Sequence, residues 1–234
     1  MNLFYSEHIS NNAIILTDEE SIHCTKVLRK TVGNTIHVID GKGNLFLAKI
    51  EEIGKKQCVC TIVETQNKFG KHSHHVRMCI APTKNIDRFE FFVEKAVEIG
   101  VDEIIPILCE NSERKILKLE RIERIVISAM KQSYKAQKPI IHELTDIKSI
   151  LKTPFEGIKC IAHCEKNEEK KLLQTVVQKN QQHTILIGPE GDFNKSEIEL
   201  ALKNNWTAIS LGNSRLRTET AGIVAVHTIS LINE

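Results

Sequence analysis

The hydrophobic patterning of the 234-residue chain predicts a small β-rich domain followed by an α/β domain with a mainly parallel sheet. Three observations carry this. Before about residue 70 the chain reads as short strands broken by Gly-containing turns. From Val76 onward apolar strands alternate with amphipathic helical stretches, and all five prolines lie at or beyond Pro82. The division is placed near residue 71, giving domains 1–70 and 71–234.

In the first part, Thr17 followed by Glu20 has the spacing of a capping box. It opens a short helix with the i,i+4 pairs His23 with Val27 and Cys24 with Leu28, which should stop by Gly33. Then come TIHVID, a turn at Asp40-Gly41-Lys42-Gly43, LFLAKIEEI and QCVCTIVET, three runs of β-rich composition that predict a small barrel or sandwich. In the second part VRMCIAP predicts the first strand, followed by a helix with Phe89, Val93, Ala96 and Val97 on one face and Gly100 as its terminator. EIIPIL, a helix bearing Ile122, Val126, Ala129 and Met130, and then IIHEL, IKCIAHC, TILIG and TAISLG complete the alternation. A last helix from about Thr218 to Ile232 is apolar on more than one face, so one face can cover the sheet and the remainder needs another partner.

Composition narrows the function class. The chain is 41% hydrophobic and 26% charged, which argues against a disordered or fibrous protein. No apolar run approaches the roughly 18 residues of a membrane span. The start, MNLFYSEHIS, has neither the basic nor the apolar segment of a leader, and a cytoplasmic location is expected. Seven cysteines fit a reducing compartment. Cys58 and Cys60 should face one side of a sheet as small buried hydrophobes. Cys160, His163 and Cys164 lack a second pair at zinc-like spacing, and the His72, His74, His75 tract reads either as a metal ligand set or as a solvated linker. No metal is expected.

Net charge is only +2, but its distribution is uneven. No acidic residue occurs between Thr65 and Ile86, where Lys68, Lys71, Arg77 and Lys84 stand, nor between Arg124 and His142, where Arg124, Lys131, Lys135 and Lys138 surround Tyr134. Cations without competing carboxylates suit phosphates, and an interleaved aromatic suits base stacking. A solvated helix face is the alternative for either window.

The chain lacks both a G-x-G-x-x-G dinucleotide fingerprint and a Walker A sequence. Glycines cluster instead at the ends of two late strands, in TILIGPEGDF and TAISLGNSRLRTETA, where ligands bind in open parallel sheets. Gly188 and Gly191 permit a tight loop, with positive φ or close ligand approach expected there, and Asn194 with Glu197 caps the next helix. Leu216, Arg217, Thr218, Glu219 and Thr220 place polar groups between a buried strand and the apolar last helix.

At these residues the chain resembles the knotted SPOUT-class methyltransferases and, more narrowly, the ribosomal RNA small-subunit methyltransferase E family, which methylates N3 of a uridine in 16S ribosomal RNA. His23, Val27, Leu28, Arg29, Gly33, Asp40, Gly41 and Gly43 match its PUA-like RNA-binding domain. Lys84, Lys95, Glu98, Gly100, Gln132 and Ser133 match its central segment. Asp192 stands where the family usually has a second glycine, Arg215 replaces an apolar residue, and Tyr134 with Lys135 replaces a common Gly-Arg pair.

The resemblance implies a trefoil knot made by threading the last helix, a homodimer built partly on that helix, and 16S ribosomal RNA or the small subunit as partner. It implies S-adenosyl-L-methionine held by Leu186, Gly188, Pro189, Glu190, Gly191, Leu211, Gly212, Leu216, Thr220 and Ala221. For RNA binding the candidates are Arg29 with Lys68, Lys71 and Lys84 of the first acid-free window and Lys131, Tyr134 and Lys135 of the second. Arg217 is the candidate for stabilising charge on the uracil oxygens, and Glu190 or Glu219 for accepting the N3 proton, each glutamate being equally able to hold a loop in shape. The alternative function keeps the fold without the chemistry: an RNA-binding scaffold for ribosome assembly.

Overall fold

The computed structural model describes every residue except Met1, Lys56 and 166–168. Packing divides the chain into two compact units, Met1–Lys71 with Ile127–Lys138, and His72–Val126 with Pro139–Glu234. The first unit therefore takes in a dozen residues that lie far along the sequence, a feature no periodicity shows.

The first unit is built on β1 (Leu3–Tyr5), β2 (Ile9–Ser10), β3 (Ala13–Leu16), helix α1 (Asp18–Ile22), β4 (Thr35–Ile39), β5 (Leu45–Ile53) and β6 (Cys58–Gln66). These strands form one sheet in the order β1-β4-β5-β6-β3-β2, antiparallel except for β1 beside β4. Alternation along the strands buries Ile36, Val38, Phe46, Ala48, Ile50, Cys58 and Cys60 against Phe4, Ile14 and Leu16. The two thiols lie side by side, Sγ to Sγ 4.0 Å. Thr17 Oγ1 accepts from Glu20 N at 3.4 Å, as the capping spacing predicts. α1 then widens into a π-helical turn over His23–Val27, and Arg29 follows with φ 52°. The Asp40–Gly43 turn is closed by Asp40, whose carboxylate accepts from Lys42 N, Asn44 N and Asn44 Nδ2. Its backbone is tied to the distant part of the same unit by Lys138 N–H to Gly41 O at 2.9 Å and Gly43 N–H to Ala136 O at 3.0 Å.

In the second unit β7 (His75–Ile80), α2 (Ile86–Ile99) and β8 (Glu103–Leu108) are followed by α3 (Leu119–Gln132), whose residues from Ile127 cluster with the first unit. Then come β9 (Ile140–Ile141), β10 (Thr145–Asp146), α4 (Ile147–Lys152), β11 (Ile158–Ala162), β12 (Lys171–Leu172), α5 (Leu173–Val176), β13 (Gln182–Ile187), α6 (Lys195–Lys203), β14 (Thr207–Ser210) and α7 (Thr218–Asn233). All eight strands pair in parallel, in the order β10-β8-β7-β13-β11-β14-β12 with β9 beside β8. Strand order reverses between β7 and β13, and the loops after those two strands are where an open parallel sheet binds ligands.

Asn194 and Glu197 form the reciprocal capping box expected for α6. From β14, two strands away on the far side of β11, the chain returns across β7 and β13 as α7, which also packs on α2 and α5. Gly222 makes that return possible: a Cβ there would stand 2.6 Å from the buried Phe92 ring and 2.8 Å from Ile80. No helix among the described residues is long and apolar enough to cross a membrane.

The histidine tract is not a solvated linker. His72 and His74 stack with centroids 4.2 Å apart, and His75 begins β7. His75 Nε2 lies 2.8 Å from Glu103 Oε1, and His142 Nε2 lies 3.0 Å from Oε2. Arg77 donates to both oxygens through Nη2 (2.7 Å) and Nε (2.9 Å). Asp102 accepts from Val76 N at 2.7 Å and faces His72. Glu103 is nearly buried, yet the His75 contact and then the Arg77 fork hold its carboxyl well below the ordinary 4.5, against the upward pull of burial.

Because the folded-state pKa lies below that of the unfolded chain, this stabilisation is complete above about pH 4.5 and drains away as the pH falls further. Glu103→Gln is expected to cost about 3 kcal/mol at pH 7, as for a buried ion pair losing one partner, and less at pH 3. Urea unfolding at both pH values checks this. Equal stability of the two proteins at pH 7, or a gap that does not shrink in acid, would count against it.

Candidate functional site

The loops after β13 and β14 wall two adjoining clefts at the carboxyl ends of β11, β13 and β14, of 300 and 540 Å³. Both clefts are lined by Ala162, Cys164, Ile187, Arg215, Leu216 and Ala221. The smaller adds the run Gly188 to Asp192 with Arg88, Arg217 and Thr218. The larger adds Ile209 to Ser214 with His163 and Lys170. The apolar floor follows from strand alternation and from the first turns of α7, while the rim comes from loop residues free of the sheet.

Of the two reasons the sequence suggests for glycine here, positive φ does not apply. Neither Gly188 nor Gly191 has a positive φ. Instead a Cβ on Gly188 would press at 3.2 Å on the ring and backbone nitrogen of Phe193, and one on Gly191 would stand 3.1 Å from Asn111 Cβ. The left-handed residue of this loop is Asp192, φ 62°. Asp192 is fixed by its N–H donating to Pro189 O at 2.9 Å, by Asn111 Nδ2 donating to its carbonyl, and by its own carboxylate accepting from Cys164 N at 2.7 Å. An Asp tolerates this conformation when its short side chain is hydrogen-bonded locally.

One buried contact joins the two loops: Thr218 Oγ1 donates to Gly188 O at 3.1 Å. Polarity at the start of an apolar helix was the signal for it, but sequence reasoning did not single Thr218 out as a site residue. In the second loop, Gly212 (φ 122°) donates to Ser210 Oγ. Among the described residues it is the one backbone N–H of 211–216 with an intramolecular bond. The other donors of this loop have no intramolecular partner among the described residues, and residues 212–215 are exposed.

The structure brings eight of the ten proposed cofactor residues to the clefts and leaves two off. Gly188, Pro189, Glu190, Gly191, Leu211, Gly212, Leu216 and Ala221 line one or both. Leu186 does not: its side chain is fully buried with Cys79, Ile105 and Trp206 on the opposite face of β13, and Ile187 lines the clefts in its place. Thr220 is exposed outside both clefts. Glu219, in the first turn of α7, lies away from the cleft surface and faces Arg88, Nε to Oε1 3.9 Å, rather than Arg217. Glu190 is exposed on the smaller cleft and accepts from Lys84 N at 2.9 Å, so it also shapes the loop after β7. Arg217, the N-cap residue of α7, is exposed and makes no ion pair among the described residues. Arg88, from α2, was missed, because that helix was read only for its apolar stripe.

The basic candidates differ in availability. Arg29, Lys68 and Lys71 are exposed on the first unit. The second acid-free window is divided, and Lys131, Tyr134 and Lys135 fall in the first unit as well. Lys131 is paired with Glu20, a carboxylate more than a hundred residues away in sequence, so the absence of acids nearby did not leave it free. Lys84 is likewise held by Glu113 at 2.7 Å. Tyr134 is exposed, with φ 57°. No group of three or more His, Cys, Asp or Glu among the described residues is placed to hold a metal.

With that geometry in view, comparison with known proteins is direct. Residues 71–230 match the RNA methyltransferase domain, and residues 16–63 match the RNA methyltransferase PUA domain. The ribosomal RNA small subunit methyltransferase E of Rickettsia conorii is 31% identical over 95% of this chain and 91% of its own. A crystal structure of a probable rRNA-methyltransferase from Porphyromonas gingivalis is 40% identical, with TM-score 0.92 over the whole of both chains. A ribosomal RNA small subunit methyltransferase E from Neisseria gonorrhoeae, solved bound to S-adenosyl methionine, is 28% identical, with TM-score 0.85 over 99% of this chain and 98% of that one. The fold is thus a SPOUT-type parallel sheet with a PUA-like domain, and the chain belongs to the ribosomal RNA small subunit methyltransferase E family.

Proposed function

We propose that the protein transfers a methyl group from S-adenosyl-L-methionine to N3 of a uridine in 16S ribosomal RNA, of the uracil-1498 type. The observation that carries this reading is the pair of adjoining clefts whose shared wall is fixed by the Thr218 to Gly188 hydrogen bond. The cofactor would span both clefts, with Gly188, Pro189 and Gly191 on the smaller, Leu211 and Gly212 on the larger and Leu216 and Ala221 common to the two, and the base that receives the methyl group would enter the smaller. The larger, with Ile209, Leu216 and Ala221 beside the open N–H donors of 211–216, suits an adenosine. The smaller carries Arg217 and Glu190.

The cofactor supplies the electrophilic methyl carbon. The chain's own residues must then align uracil N3, remove its proton and steady the charge left on the ring. Glu190 has one oxygen engaged by Lys84 N and a second to accept the proton. Arg217, unpaired among the described residues and unable to lose its proton, stabilises the charge that develops on the uracil oxygens. Arg29, Lys68, Lys71, Tyr134 and Lys135 of the first unit grip the RNA. A second copy of the chain completes the α7 surface, where Leu231 is exposed and Ile223, Val224 and Ile232 are half-buried. Cytoplasmic location follows from the substrate.

Two variants separate binding from chemistry. Gly191→Val forces Asn111 aside and with it the two hydrogen bonds that Asn111 Nδ2 makes to the loop. Calorimetry should show cofactor affinity at least about tenfold weaker in a folded protein, roughly 1.4 kcal/mol; unchanged affinity would sink the loop assignment. An inactive scaffold would bind no cofactor even as wild type. Arg217→Ala should lower single-turnover methylation by about 100- to 1,000-fold with cofactor affinity kept, and Arg217→Lys should recover little. Normal turnover in Arg217→Ala would end its assignment.

Arg29→Ala should reduce the slope of log RNA affinity against log salt by about one, and sedimentation of the wild type should give a dimer. An unchanged slope makes Arg29 an ordinary surface charge, and a monomer at micromolar concentration removes the dimer.

A further inference from the structure

Arg88 occupies the third position of α2 and lines the same cleft as Arg217, its side chain 40% exposed. Its Nε lies 3.9 Å from Oε1 of Glu219. Glu219 is only 8% exposed, and its Oε2 has no hydrogen-bond partner among the described residues. A carboxylate buried this deeply is costly unless a cation offsets it, and Arg88 is the cation placed to do so. The two sit on helices locked together where Gly222 meets Phe92, so the pair is held by the core rather than by flexible loops.

A guanidinium carries five donors in a rigid fork. Facing Glu219 at 3.9 Å, an ion-pair distance beyond hydrogen-bond reach, it keeps both terminal amino groups for a second, anionic partner, and the surface it lines is the smaller cleft. The charges around that cleft favour such a partner. Arg88, Arg215 and Arg217 converge there, while its two carboxylates are each engaged by a backbone N–H, Glu190 with Lys84 and Asp192 with Cys164. Arg88 does not line the larger cleft, where the loop backbone is open to the cofactor.

Resting on the methyltransferase reading above, we propose that Arg88 binds a phosphate of the RNA strand next to the target uridine, and that Glu219 is the positioning residue that aims it. Glu219 thereby has a role distinct from proton acceptance. Phosphate, which accepts a guanidinium fork in bidentate fashion, is the anion that lies within a nucleotide's length of any base presented to Arg217.

The test uses the full chain, S-adenosyl-L-methionine and in-vitro-transcribed 16S ribosomal RNA. Arg88→Ala should raise the KM for RNA about tenfold and lower the salt slope by about one. Its cofactor affinity and its kcat at saturating RNA should stay near wild type, while its melting temperature should fall because Glu219 loses the cation that offsets its burial. Arg88→Lys should restore the salt slope but only part of the KM. Glu219→Gln should raise the RNA KM in the same direction, and the double variant should be no worse than Arg88→Ala alone, since the two act as one unit.

An unchanged RNA KM and salt slope in Arg88→Ala would overturn the proposal. So would weakened cofactor affinity, which would assign the guanidinium to the cofactor's carboxylate, or additive losses in the double variant, which would make Glu219 independent of Arg88. A wild-type protein that binds no cofactor and methylates no RNA would overturn the methyltransferase reading itself, and is scored before any variant.

Discussion

The buried hydroxyl of Thr218 and the carbonyl of Gly188 lie thirty residues apart in sequence and 3.1 Å apart in space. Everything at the site depends on that closure. It fixes the start of α7 against the end of β13, so the two polar loops share a wall and neither can drift without exposing or orphaning a buried polar group. The closure in turn needs α7 to lie deep on the sheet, and Gly222 permits this by giving up a side chain where Phe92 and Ile80 already fill the space. A helix that carries Arg217 at its N-cap and Glu219 in its first turn is in this way registered to α2 and to β7 by steric contact.

Opposite ends of the second unit's sheet are specialised by charge. At the amino ends of β7 and β8, Glu103 gathers His75, Arg77 and His142 into a compact, half-buried network. At the carboxyl ends, Arg215 and Arg217 stand exposed and unpaired among the described residues, next to backbone donors the loops do not use. The same residue types thus brace one end and stay available at the other, and the difference lies in whether a carboxylate is packed beside them.

Much of this was legible in the sequence because it is local. Asn194 with Glu197 predicts the capping box, Gly100 the end of α2, and the alternation of TIHVI, LFLAKIEEI and CVCTIVETQ the strands of the first sheet. The two site loops declared themselves by glycine and by polar residues where a connection needs neither. What escaped depends on residues distant in the chain. Gly188 is glycine because of Phe193 pressing back on it, and Gly191 because of Asn111, not because of φ. Lys131 sits in an acid-free window and is neutralised by Glu20. The histidines at 72–75 look like a linker until Asp102 and, at the start of β8, Glu103 meet them. Arg88 looks like the solvent face of an amphipathic helix until α7 arrives beside it.

The dependence of the first unit on residues 127–138 reaches back to the order in which the chain is made. Gly41 and Gly43 end their turn in hydrogen bonds with Lys138 and Ala136, and Glu20 meets Lys131, so the unit's own contacts span more than a hundred residues. Domains form from the amino terminus during synthesis at about 5 to 20 residues per second. The strands of this one therefore emerge several seconds before the segment that finishes it, and in that interval the Asp40–Gly43 turn must stand on the carboxylate of Asp40, the β4–β5 pairing and the Phe69 N–H to Gly43 O bond. The wide fan of bonds that Asp40 makes to Lys42 and Asn44 is a turn that can wait for its partner.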